Sequence, residues 1–158
     1  MSWVAKSFGV IGVACCLALP GSVFAMGSGG GDDADAKYKQ AVEAVEHKDY
    51  KEAISLLKDV LEDNAQNADA LNYMGYSYRK LGNYQWALTY YKRALKVNPD
   101  HQGANEYIGE AYLELKQPDK AKVHLDRLAR ICGPSCEAYQ VLKKAFDAYR
   151  TQAKARPS

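Results

Sequence analysis

Histidine is scarce in this chain: 3 among 158 residues (His47, His101, His124), scattered and without a ligand-like spacing. A tetrahedral metal site needs four convergent donors, and no such cluster is visible. A paired Ser/His/Asp arrangement and a phosphate-cradling glycine loop are missing as well. The chain is therefore expected to be no enzyme and to carry no cofactor or metal. An excess of charge of one sign is also missing, since 21 Lys and Arg stand against 19 Asp and Glu for a formal net charge of +2. Neither nucleic acid nor an anionic membrane surface is implied as partner. What remains is 47% apolar and 25% charged residues, the balance of a soluble globular domain with a real core.

The first 25 residues differ from the rest. Met1 to Ser7 carries one cation, Lys6, and no acid; Phe8 to Leu19 is an apolar run of twelve; Pro20 and Gly21 break it. Val23-Phe24-Ala25 then places small residues at −3 and −1 of a cut before Met26. This is the layout of a cleaved secretory signal peptide, and it implies a periplasmic location. An uncleaved anchor is the alternative, although spanning hydrocarbon takes roughly 20 residues. A lipoprotein cut before Cys15 would want a larger aliphatic where Gly12 stands. Export leaves 20 basic and 19 acidic residues, 21 − 1 and 19 − 0, and two cysteines. Residues 26–33, Met-Gly-Ser-Gly-Gly-Gly-Asp-Asp, read as a flexible polar tether.

The remainder is periodic. Ala53, Ala87 and Ala121 recur 34 residues apart, as do Gly75 and Gly109, Tyr78 and Tyr112, and Leu57, Tyr91 and Leu125. Such a period means one helical hairpin written three times and stacked. In the clearest unit, Leu71, Met74, Gly75 and Tyr78 share one helical face. The helix runs out at Leu81-Gly82-Asn83, where glycine suits the left-handed C-terminal conformation. A second helix carries Trp86, Ala87, Tyr90, Tyr91, Ala94 and Leu95, and Pro99 stops it. Gly75 and Ala87 mark the close approach of the two backbones.

Leu71, Met74-Gly75, Tyr78, Ala87, Tyr91, Ala94 and Pro99 resemble the tetratricopeptide repeat (TPR) family at every position of its pattern. The third unit keeps Ile108-Gly109, Tyr112, Ala121, Leu125 and Leu128 but has Asn105 where a large residue is usual. The first is degenerate, with Ala41 for the glycine and Ala44 for the aromatic. The resemblance implies an all-α, right-handed superhelical solenoid of three hairpins, at residues 34–67, 68–101 and 102–134. Residues 135–152 would form a C-terminal capping helix, N-capped by Ser135, that covers the last exposed core face, followed by a frayed tail at 153–158.

Cys132 and Cys136 span the joint between the third hairpin and the cap. In an oxidising compartment their simplest state is a disulfide, worth about 2 kcal/mol or less because the ring is small. A reactive dithiol is the alternative, since a thiolate at Cys136 would sit in the first turn of a helix. A metal site lacks further donors, and a haem attachment pattern would need His where Glu137 stands.

The resemblance also implies an inner groove lined by the first helix of each hairpin. The family's inward positions fall on Tyr38 and Val42, then on Asn72, Tyr73, Tyr76, Arg79 and Lys80, then on Glu106, Tyr107, Glu110 and Glu114. Tyrosines there offer stiff amphipathic contacts for a peptide or a partner helix. The charge is expected to run from basic at Arg79 and Lys80 to acidic at the three glutamates. Family members that clamp a partner's C-terminal carboxylate use Lys and Asn in the first helix, Asn in the third and two basic residues in the fifth, positions held here by Tyr38, Val42, Tyr73, Gly103 and Tyr107, so that clamp is absent. Two functions follow. One is a non-catalytic interaction module, an adaptor or assembly factor of the bacterial envelope that binds a protein or peptide. The other is a thiol-disulfide-active protein working through Cys132 and Cys136.

Overall fold

A computed structural model of the protein describes residues 30–155. Those residues form seven α-helices: α1 (Gly30–Glu46), α2 (Tyr50–Asp63), α3 (Ala68–Lys80), α4 (Tyr84–Val97), α5 (Gln102–Glu114), α6 (Pro118–Ile131) and α7 (Glu137–Ala155). The signal-peptide reading of residues 1–25 lies outside the described residues.

Each hairpin is punctuated by the same local chemistry. Asp49, Asn67 and Asn83 cap α2, α3 and α4 by accepting from the amide three residues on. His101 does the same for α5 through its ring, and α6 instead starts on Pro118. The turn between the two helices of a hairpin needs one left-handed residue, and it falls at Lys48 (φ 64°), Gly82 (φ 77°) and Lys116 (φ 58°). These are the same position of the period, and only the middle unit fills it with glycine.

Packing follows the small residues. A Cβ on Gly75 would lie 2.6 Å from two ring atoms of Tyr91, so α4 meets α3 where no side chain intervenes. Tyr91 itself is fully buried, along with Ala87 and Ala94. The odd residue of the third unit, Asn105, is fully buried too. Its Nδ2 donates to the carbonyls of Pro99 (3.1 Å) and His101 (3.0 Å), and its Oδ1 accepts from His124 Nδ1 (3.0 Å). A polar staple thus stands where other repeats place a hydrocarbon, and its hydrogen-bonding capacity is used.

α1, α3 and α5 touch one another in order, whereas α2, α4 and α6 do not. The layer whose helices touch is the inside of the curve, so the first helices line the concave face. The last helix departs from the alternation: α7 packs more extensively on α5 than on α6. A Cβ on Gly109 would lie 2.5 Å from Leu142 Cδ2, so α7 lies directly on the bare backbone of α5. Leu142 and Phe146 are buried in this contact's core cluster.

Three local expectations differ. α1 begins at Gly30, inside the supposed 26–33 tether, and Asp33 pairs with Lys37 one turn on. The cap helix starts at Glu137, so the residue flanking it is Cys136, whose carbonyl accepts from Gln140 N, and Ser135 is not the N-cap. Its C-terminal end runs to Ala155 rather than 152, with Lys154 in a last turn where a cation meets the negative end of the dipole.

Candidate functional site

The concave face is lined with tyrosine. α1 contributes Tyr38, whose ring meets Tyr73 of α3 edge-on at 6.1 Å. Tyr76, one turn further along α3, packs at 4.9 Å against Tyr107 of α5. Tyr50, the first residue of α2, closes on Tyr76 at 6.2 Å. The rings form two groups, Tyr38 with Tyr73 and Tyr50 with Tyr76 and Tyr107, the last reaching down to the buried Tyr91 at 6.3 Å. Burial raises the hydroxyl pKa of Tyr38, Tyr73 and Tyr107, and neighbouring carboxylates add to each shift: Asp69 at the first two, Glu106 at the third. All three hydroxyls therefore stay protonated and able to donate at neutral pH.

Arg79 is placed differently from its expectation. Its side chain is 4% exposed, and its Nη2 and Nη1 donate to Glu110 Oε2 (2.7 Å) and Glu114 Oε1 (2.8 Å) of α5. The guanidinium lies 5.5 Å over the Tyr76 ring and 5.7 Å over that of Tyr107. Arg79 is thus a clasp between the second and third repeats and not a free basic contact. The expected gradient from basic to acidic collapses into an internal ion pair. Lys80 remains exposed, with Nζ 5.0 Å over Tyr76.

Asn72 is also buried, its Nδ2 set against Gly103 at the start of α5. It belongs to the joint between repeats rather than to the open groove. Glu106 is half-buried on α5. Burial, with Glu110 and with Glu137 of α7 beside it, pushes its carboxyl up to about 7. Between α3, α5 and α7 a cleft of about 420 Å³ opens, lined by Arg79, Lys80, Glu110, Glu114, Tyr149 and Gln152. The cap helix is therefore one wall of the groove, which the sequence assigned only to covering the end. Tyr50 was the contact missed. It shares a period with Tyr84, which marks both as first residues of a second helix.

Cys132 and Cys136 are joined by a disulfide, with Cα atoms 5.8 Å apart, and both pack partly buried against the core beneath α7. No helix of the described residues is long and apolar enough to cross a membrane.

Comparison with known proteins agrees with this geometry. Residues 68–101 and 104–131 each match a family model described as tetratricopeptide repeat, so the chain carries such repeats there. No curated protein matches the chain. The first TPR of Spaghetti (RPAP3), solved bound to an HSP90 peptide, superposes with a TM-score of 0.67 at 20% identity, covering 79% of this chain and 98% of that one. The type III secretion chaperone SycD of Yersinia enterocolitica, in complex with a peptide of the translocator YopD, gives 0.68 at 13% identity, with 77% and 95% covered. The Sgt2 TPR domain of Aspergillus fumigatus gives 0.68 at 20% identity, with 79% and 85% covered. At such identities the likeness is one of fold.

Proposed function

We propose that this chain is a non-catalytic interaction module, an adaptor or assembly factor of the bacterial envelope, that grips a peptide or helical segment of another protein in its concave groove. The observation that carries the reading is the pair of tyrosine contacts between neighbouring inner helices, Tyr38 on Tyr73 and Tyr76 on Tyr107. Preformed aromatic surfaces of this kind contribute large contact area at low entropic cost. Two structurally similar repeat domains were solved with peptides bound, which supports the same use of the fold here. The envelope location rests on the signal-like layout of residues 1–25 and on a cysteine pair suited to an oxidising compartment.

The test is cross-linking in the envelope of the native host, comparing residues 26–158 with two variants. Capture of one envelope complex, lost when Tyr73, Tyr76 and Tyr107 become Ala but kept in Cys132→Ser/Cys136→Ser, establishes a groove-binding adaptor. Capture through mixed disulfides that disappears in the cysteine variant establishes the thiol-active alternative instead.

A further inference from the structure

Carboxylates stand near the tyrosines, with Glu110 and Glu114 placed on α5 beside Tyr76 and Tyr107 by their bonds to Arg79. Asp69 acts on Tyr38 and Tyr73, Glu46 acts on Tyr73, and Glu106 and Glu110 act on Tyr107. Glu114 lies on the same side of α5, bonded to Arg79. Asp69 is bonded to His101 Nε2 at 2.9 Å, and α3 adds two cations. Arg79 is buried between Glu110 and Glu114 and presents no charge outward, which leaves Lys80 as the exposed one. A low-dielectric concavity focuses such a field rather than dispersing it.

The rings also display what they accept. Both cations of α3 lie over them: Arg79 over Tyr76 and Tyr107, Lys80 over Tyr76. An aromatic face beside carboxylates offers a cation two attractions at once, the ring quadrupole and the ion pair. An acidic segment, or a free C-terminal carboxylate, would meet repulsion and no clamp.

Building on the groove assigned above, we infer that its occupant is a cationic protein segment, one that sets Lys or Arg side chains over Tyr73, Tyr76 and Tyr107 between the flanking acids. The aromatic rings fix the register and the acids select the charge, a division of labour in which electrostatics provides specificity more than affinity.

The experiment uses the full exported chain and short fluorescent peptides of one backbone pattern in three versions, bearing Lys/Arg, Gln or Glu at alternate positions, read by anisotropy at physiological salt. The expected result is that the Lys/Arg version binds about tenfold or more tighter than the Gln version, and the Glu version not at all. Tyr76→Phe should keep that binding, because the ring face remains; Tyr76→Leu should weaken it about tenfold. Glu46→Gln and Glu106→Gln, which leave the core intact, should each weaken it several-fold, while Asp126→Asn on the outer helix α6 should not. Preferential binding of the Gln or Glu version, still lost in Tyr76→Leu, overturns the cationic occupant and leaves the groove. Binding of the Lys/Arg version that ignores Tyr76→Leu, or no binding by any version, overturns both.

Discussion

His124 Nδ1 donates to Oδ1 of the fully buried Asn105 at 3.0 Å, tying α6 to α5. Burial, together with the nearby Arg127, lowers the His124 pKa from 6.5 to about 4. The unfolded chain therefore binds a proton that the folded one refuses between those values. Stability from this residue is full above about pH 6.5 and is lost as pH falls towards 4. Urea denaturation at stepped pH should show that slope in the parent chain and a shallower one in His124→Asn.

Glu106 has the opposite sign. Its folded carboxyl titrates at about 7 against an ordinary 4.5, so the folded state holds the extra proton, and stability declines as pH rises through that window. Glu106→Gln should raise the melting temperature at pH 8 by a few degrees, on the order of 1 kcal/mol. The gain should vanish by pH 5. Equal gains at both values would mean that the charge is already well solvated.

Gly75→Ala sets two effects against each other. Alanine gains about 1 kcal/mol in helix propensity. The new methyl would overlap the Tyr91 ring at 2.6 Å and approach the Ala87 carbonyl at 3.1 Å, and Tyr91 has no room to retreat. Overpacking of this kind costs about 1–3 kcal/mol, so a net effect between about zero and a loss of roughly 2 kcal/mol is expected in chemical denaturation. Gly103→Ala is the matched control: its nearest neighbour is Asn72 Nδ2 at 3.2 Å, and propensity should leave it neutral or slightly stabilising.

Lys48 and Lys116 hold the left-handed conformation that Gly82 takes freely. Replacing either by glycine removes the strain of a Cβ but loosens the unfolded chain, for a net gain of about 0.5 kcal/mol each. Gly82→Lys should lose at least as much. Urea midpoints of the three single variants decide it.

The hairpins were legible because their signal is periodic: small residues at 41, 75 and 109 and at 53, 87 and 121 mark backbone contacts that the stacking requires. The groove was legible only in outline. Tyr76 packs on Tyr107, but Arg79 went inward, and its counterparts at the same period, Val45 and Leu113, are apolar and marked that position as facing the core. Ion pairing between repeats has no period, so nothing local announced Glu110 and Glu114 as its partners. The tilt of α7 onto α5 likewise depends on Leu142 finding the bare backbone of Gly109, a match between residues 33 positions apart that no helical pattern encodes.

That tilt gives the array a polarity. A fourth hairpin of the same array would have to seat its first helix on the surface that α7 already occupies. At the other end, among the described residues, α1 and α2 carry no corresponding helix. The helix that terminates the solenoid thereby makes its two ends chemically unlike.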